Sequence, residues 1–351
     1  MKNILVNLYK TNNLYTGLGQ FSLNFANELC RQIPDDMSVD FLIPTNSKLS
    51  FNQPNVKTVK ANLLIKYFSC LNKTYDLWHN LYQSDNFLPN AKTLHLMTIH
   101  DLNFLIEKTP KKGKRYLNRL QQTVNRTDYI TSISDFAKSD IERHIALSNK
   151  TVRRIYNGIS FDDDLESVKP DNVDVNKFFF TISHLTGKKN IHTLLPMLGK
   201  MPDYKLVIAG NNNTSYADLI RERTKTLNID NQIVMTGAIS SENKKWLYEN
   251  CEAFLFPSIA EGFGMPAIEA MYYGKPVFLS NLTSLPEVGG DFAYYFQNFE
   301  AEHMLEVVKN GLRHYEQNEK ELSVKIKEHA ESFSWERCIK QYLELYREIL
   351  F

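Results

Sequence analysis

Short apolar runs alternate with amphipathic stretches along the whole chain. KNILVNLY is followed by SLNFANELCRQI and then VDFLIP; later KFFFTIS, IHTLLPMLGKM, YKLVIAG, ADLIRERTKTL, QIVMTG, NKKWLYENC, EAFLFPS, MPAIEAMYYG and KPVFLS continue the pattern. Apolar runs of about four to six residues rich in Val, Ile and Phe read as strands buried on both faces, and stretches of about ten residues between them as helices. The pattern predicts βαβ units: an α/β chain with parallel sheets covered on both faces. It lapses over FDDDLESVKPDNVDVN, residues 161–176, which is acidic, holds Pro170 and has little apolar content. A linker there would divide the chain into an N-terminal domain, 1–165, and a C-terminal domain, 174–334. Both would be doubly wound and Rossmann-like, facing a cleft. The last stretch places Trp335, Ile339, Tyr342, Leu343 and Tyr346 on one side of a helix over 335–351, expected to cross back toward the N-terminal domain.

Composition narrows the class. A chain of 351 residues with 43% hydrophobic positions can fill two cores and is not disordered. A net charge of +1 opposes a nucleic-acid partner, and no apolar run approaches the roughly 20 residues that span a bilayer. MKNILVNLYK reads as a first strand, its apolar stretch being too short for a signal peptide. Cys30, Cys70, Cys251 and Cys338 show no metal-ligand spacing. A reduced, cytoplasmic protein without a metal is expected.

The charge is unevenly spread. Residues 1–170 hold 22 basic and 16 acidic side chains, and the remainder 19 and 24. Lys108 to Arg126 contains seven cations and no carboxylate, in a segment whose Tyr116, Leu117, Leu120 and Val124 would share one helix side. Lys111, Lys112, Lys114 and Arg115 would then face either water or an anionic membrane, where each contributes about 1 kcal/mol.

The sharpest local signal is Glu261-Gly262-Phe263-Gly264-Met265-Pro266-Ala267-Ile268-Glu269, between the strand EAFLFPS and the helix AIEAMYYG. Two glycines and a proline at a strand-to-helix turn leave backbone N–H groups available to an anion at the helix N-terminus. The flanking carboxylates suit hydroxyl groups, as on a sugar and a ribose, rather than phosphate. A plain turn with solvated acids is the alternative.

This segment resembles the E-x7-E motif of the family-4 retaining glycosyltransferases. That resemblance implies a GT-B fold and transfer of a hexose or deoxyhexose from a nucleotide-diphosphate sugar to a hydroxyl. It assigns the transferred sugar to Glu261, the ribose to Glu269, and sugar and diphosphate to the amides of Phe263, Gly264 and Met265. TISHLTGKKN resembles the loop that brings cations to the diphosphate: Lys189 matches its lysine, Lys188 a basic neighbour, and His184 stands where many members carry Arg. Gly210 and Gly237 match positions lining the nucleotide, and Ile239 one beneath the base. NNLYTGLGQ resembles the family's glycine loop through Gly17 and Gly19, MTIHDL its His–Asp pair through His100 and Asp101, and ITSISDFAKSDI a further segment through Ser134, first of all a helix cap. Lys189, Glu261 and His100 would be the catalytic group. No metal or other cofactor is implied. The family's acceptors imply a glycan or lipid-linked oligosaccharide, in bacterial O-antigen, capsule or lipopolysaccharide synthesis at the inner face of the plasma membrane. The wording SNLTSLPEVGGD leans toward a GDP-mannose type of donor.

Three alternatives are weighed against this. A nicotinamide-dependent oxidoreductase also has Rossmann lobes, but Ser22 stands where a dinucleotide fingerprint needs its third glycine. A non-catalytic glycan-binding homologue would have little reason to keep Lys189, Glu261 and Glu269 together. Asp162-Asp163-Asp164 resembles a metal-binding D-x-D, but it opens an acidic segment where such residues are commonly solvated.

Overall fold

The computed structural model describes every residue except Tyr15, Phe68, Asp85, Asn86 and Asp162, together with the Leu71 side chain. The chain forms two compact units: residues 1–160 with 333–351, and residues 161–332.

Unit 1 contains β1 (Lys2–Asn7), α1 (Gly17–Gln32), β2 (Met37–Ile43), β3 (Val56–Lys60), α2 (Leu63–Tyr67), β4 (Leu77–Asn80), β5 (Leu94–Ile99), α3 (Phe104–Glu107), α4 (Pro110–Val124), β6 (Tyr129–Ser132), α5 (Asp135–His144) and β7 (Val152–Arg154). Unit 2 contains β8 (Phe178–Ile182), α6 (Leu194–Leu198), β9 (Lys205–Ala209), α7 (Ser215–Thr226), β10 (Ile233–Gly237), α8 (Ser241–Asn250), β11 (Ala253–Phe256), α9 (Met265–Tyr272), β12 (Val277–Ser280), α10 (Leu285–Gly289), β13 (Tyr294–Phe296) and α11 (Ala301–Glu331). The last helix, α12 (Trp335–Leu350), belongs to unit 1.

Both sheets are parallel, ordered β3-β2-β1-β4-β5-β6-β7 and β10-β9-β8-β11-β12-β13. The central strands are apolar on both faces because helices cover both: β11 and β12 are buried along their full length. Ser and Thr caps fix several helix starts. Thr16, Ser134, Thr214, Ser240 and Ser334 each accept a backbone N–H three residues on. α12 buries Trp335, Ile339, Tyr342 and Tyr346 in the same core as Phe21, Phe25 and the inner residues of β1 and β2, while Leu343 is only partly buried.

The 161–176 segment is not a free linker. Phe161 stacks on Tyr272 with ring centroids 3.6 Å apart. Asp163 accepts the Tyr272 hydroxyl at 2.5 Å, its carbonyl accepts Lys245 Nζ, and Val173 is buried. A few apolar and hydrogen-bonded anchors tie an acidic stretch to unit 2. The divisions therefore fall at 160/161 and 332/333, not at 165, 174 and 334. Of the three aspartates, Asp162 lies outside the described residues and Asp163 is engaged by Tyr272 and Lys245.

Candidate active site

In a doubly wound sheet, ligands bind beyond the carboxyl ends of the strands where the strand order reverses. In unit 2 that point lies between β8 and β11. The loop after β8 carries Lys188 and Lys189, and the loop after β11 carries Glu261. Lys189 Nζ lies 2.6 Å from Glu261 Oε1, each side chain 12% exposed. The ammonium also sits 5.1 Å from the centre of the Phe256 ring. Backbone bonds join the two loops: Ser258 Oγ and the Ile259 N–H both donate to the Lys188 carbonyl, at 3.1 and 2.8 Å.

The turn at 261–265 differs in one respect from a row of open amides. The Glu261 N–H donates to Thr283 Oγ1 at 3.1 Å, and the Ser284 hydroxyl donates to the carbonyls of Glu261 and Phe263. Gly264 has φ +116°, and a Cβ there would lie 2.7 Å from Leu285 Cδ2, so the position requires glycine. Among the described residues the N–H groups of Gly264 and Met265 make no hydrogen bond. They stand at the positive end of α9, whose first turn Pro266 pre-sets.

Glu269 lies within α9, and both its oxygens are engaged. Lys244 Nζ is 2.9 Å from Oε1, and the Tyr248 hydroxyl donates to Oε2 at 2.8 Å. Burial, and then the adjacent carboxylate, hold the Tyr248 hydroxyl well above its usual range, so it stays a donor. Neither partner was singled out from the sequence; the only signal was their four-residue spacing, which puts both on one face of α8.

The ends of β8, β9 and β10 are sewn together. Ser183 N–H donates to the Ala209 carbonyl at 3.1 Å and Gly210 N–H to Gly237 at 2.8 Å. Gly210 has φ +119°, and a Cβ there would lie 1.8 Å from the Ser183 carbonyl oxygen. His184 is exposed, Ile239 and Gly237 partly so. Thr181 Oγ1, Ser183 Oγ, Thr186 Oγ1 and Asn190 Nδ2 are buried here without partners among the described residues. Such groups ordinarily find a water or a ligand.

In unit 1, Gly17 and Gly19 form the first turn of α1 rather than an open loop. A Cβ on Gly19 would lie 2.0 Å from the Asn13 carbonyl oxygen. His100, just after β5, is buried and meets the Phe21 ring of α1 edge-on at 4.8 Å. Its Nε2 lies 2.8 Å from the Leu81 carbonyl, which only accepts, so the proton is on Nε2 and Nδ1 is the acceptor. Burial lowers the imidazole pKa to about 4, against a small opposing effect of that hydrogen bond. Gln83 holds the loop from two sides, accepting the His100 N–H and donating to the Asp101 carbonyl. On α4, Lys111, Lys112, Lys114 and Arg115 are all exposed. Leu120 and Val124 are buried and Leu117 partly, but Tyr116 stays 42% exposed beside Phe104. It sits at the rim of the apolar stripe, not within it.

Residues 162–332 match the family model "Glycosyl transferases group 1". The chain is 26% identical to "O-antigen chain mannosyltransferase B" of Escherichia coli over 95% of its own length and 96% of that protein's. It is also 26% identical to "O-antigen chain mannosyltransferase RfbU" of Salmonella typhimurium, over 88% and 90%. Among solved structures, a sucrose-phosphate synthase from Thermosynechococcus elongatus superposes with TM-score 0.77 at 17% identity, covering 99% of each chain. HepE from Anabaena, in complex with UDP-glucose, gives 0.73 at 16%, covering 99% of this chain and 100% of that one. Two parallel Rossmann-like sheets and these likenesses give the chain the GT-B fold, and residues 162–332 carry a group 1, family-4-like glycosyltransferase domain, which together with the mannosyltransferase relatives supports a glycosyltransferase enzyme.

Proposed function

We propose that this enzyme moves a mannose-type hexose from a nucleotide-diphosphate sugar to a hydroxyl of a growing bacterial surface polysaccharide, with retention at the anomeric carbon. The observation that carries the reading is the Lys189–Glu261 pair at the β8/β11 reversal, beside the N-terminus of α9. The sugar C1–O bond breaks, the nucleoside diphosphate leaves with the electron pair, and the acceptor oxygen bonds C1 while its proton passes to the departing diphosphate oxygen. The growing negative charge on the diphosphate is met by the Lys189 ammonium and the amides of Gly264 and Met265, which need little reorganisation because both loops are tied down. Glu261, released from Lys189 when the diphosphate takes that cation, accepts hydrogen bonds from sugar hydroxyls. Glu269, oriented by Lys244 and Tyr248, accepts the ribose hydroxyls. His100, neutral at physiological pH, serves as a hydrogen-bonding group near the acceptor.

The mannose assignment is supported by the names of the two O-antigen relatives. The exposed cations of α4 support a lipid-linked acceptor met at an anionic membrane surface. No helix among the described residues is long and apolar enough to cross a membrane. The test is release of nucleoside diphosphate from GDP-mannose, UDP-glucose and UDP-galactose, with NMR of the product's anomeric centre. GDP release with an α-linked product from the α-donor supports the reading. Turnover of a UDP-sugar alone would overturn the donor, and an inverted product the stereochemistry.

A further inference from the structure

One residue of unit 2 stands in a backbone conformation that its own side chain disfavours. Thr283, in the loop between β12 and α10, has φ +56°. Among the described residues Ser148, Asn190, Asn228 and Thr283 are the non-glycine positions with positive φ, and of these four Thr283 is the β-branched one. A branched side chain in the left-handed region crowds the backbone, and such strain persists where the surroundings over-determine it.

What surrounds Thr283 is the turn that carries Glu261. Thr283 Oγ1 accepts the Glu261 N–H, and the next hydroxyl, Ser284 Oγ, donates to the Glu261 and Phe263 carbonyls at 3.1 and 2.8 Å. In extended backbone, successive side chains point to opposite sides. A left-handed residue followed by Ser284 at φ −82°, ψ −7° instead lets two consecutive hydroxyls reach one segment. The peptide groups on both sides of Glu261 are thus fixed from a neighbouring strand end. Ser258 continues the arrangement: it donates to the Lys188 carbonyl, and its own carbonyl accepts the Ser280 hydroxyl at 2.5 Å.

We infer that Thr283 and Ser284 are positioning residues for Glu261, and that the left-handed conformation of Thr283 is kept because it aims both hydroxyls at the Glu261 turn. The inference rests on the reading of Glu261 as the group that orients the transferred sugar. Neither residue touches the reacting atoms. They hold the carboxylate in place through its backbone, and small displacements at a reacting centre are costly in rate.

The experiment compares Thr283→Gly, Thr283→Ser and Ser284→Ala with wild type, using GDP-mannose turnover, GDP affinity by calorimetry, melting temperature and amide hydrogen exchange. Thr283→Gly removes the strain and the acceptor together. Its kcat should fall about 10- to 100-fold, with GDP affinity within about twofold and a melting temperature not lowered. Its Glu261 amide should exchange faster. Thr283→Ser keeps the hydroxyl and should retain kcat within about threefold, with exchange at Glu261 unchanged. Ser284→Ala should lower kcat in the same direction with GDP affinity preserved. A merely structural residue would lower the melting temperature and leave kcat per folded molecule unchanged. That result, or unaltered exchange at Glu261 in Thr283→Gly, overturns the inference. Glu261→Ala separates the two failures. If it abolishes turnover while Thr283→Gly does not, only the inference falls; if it turns over normally, the reading of Glu261 falls with it.

Discussion

The two units follow one plan and differ in what they bury. Unit 1 carries 24 Lys plus Arg against 15 Asp plus Glu, and unit 2 carries 17 against 25. Beneath its basic surface unit 1 holds three buried imidazoles. His79 bridges the Tyr346 hydroxyl and Thr98, His95 meets Asn80 and Thr127, and His100 is held by Leu81. Unit 2 is built instead around buried phenylalanines, Phe178 to Phe180, Phe254 and Phe278, and Lys189–Glu261 and Lys244–Glu269 are its two least exposed ion pairs among the described residues. The same topology thus serves a pH-sensitive frame in one unit and a fixed ionic cluster in the other. Topology sets where a ligand can sit; side chains set what it can be.

The largest effect expected from breaking this contrast lies in unit 2. Glu261→Ala and Lys189→Ala should each lower transfer by about 10²-fold or more, measured as donor turnover. Circular dichroism and the cooperativity of melting should stay near wild type. A rate within a few-fold of normal for either would remove the ionic cluster from the chemistry.

Unit 1 should be the acid-labile one. Burial holds His95 and His100 down at about 4, and His79 well below its usual value. The unfolded chain takes up protons near pH 6.5 and the folded chain does not, so unit 1 loses stability as pH falls from about 6.5 toward 4. At pH 5 the loss is about 2 kcal/mol each for His95 and His100. Trp78 and Trp335 lie in unit 1 and Trp246 in unit 2. Trp246→Phe should therefore leave a fluorescence signal that reports acid unfolding of unit 1 alone. It should midpoint at a higher pH than a variant keeping only Trp246.

A paired glycine substitution gives a smaller effect within unit 2. Gly210→Ala meets the Ser183 carbonyl at 1.8 Å from a left-handed backbone, whereas a Cβ on Gly187 meets nothing within 4 Å. The first should cost about 2 kcal/mol or more in urea unfolding, and the second within about 0.5 kcal/mol. Smallest for folding is reversal of Lys111, Lys112 and Arg115 to Glu. Unfolding free energy should move by less than about 1 kcal/mol, while flotation with anionic liposomes is lost. Retained flotation would leave α4 a solvated surface.

Much of this was legible in the residues. β8, β11 and β12 were legible because apolar runs bounded by turn residues have few other uses. The 261–269 turn was legible because Gly264 and Pro266 mark a strand-to-helix junction. The acidic 161–176 stretch misled because composition averages over Phe161 and Val173, whose burial ties it to unit 2. Gly17 and Gly19 were expected in a loop because NNLYTGLGQ resembles the family's glycine loop; Thr16, capping the Gly19 N–H, starts α1 there. Lys244 and Tyr248 gave only their four-residue spacing, and Thr283 and Ser284 gave no local sign of the Glu261 turn they hold.

What the sequence determined by itself was the alternation of strands and helices, the glycines that only a left-handed or crowded backbone needs, and which residue types stand at strand ends. Those depend on neighbours within a few positions. Tertiary structure alone decided that Lys189 meets Glu261 across 72 residues, that Lys244 and Tyr248 grip Glu269, and that Thr283 holds the Glu261 turn. Such contacts come from which strands lie side by side, and strand order is set by the packing of the whole sheet, not by any one segment.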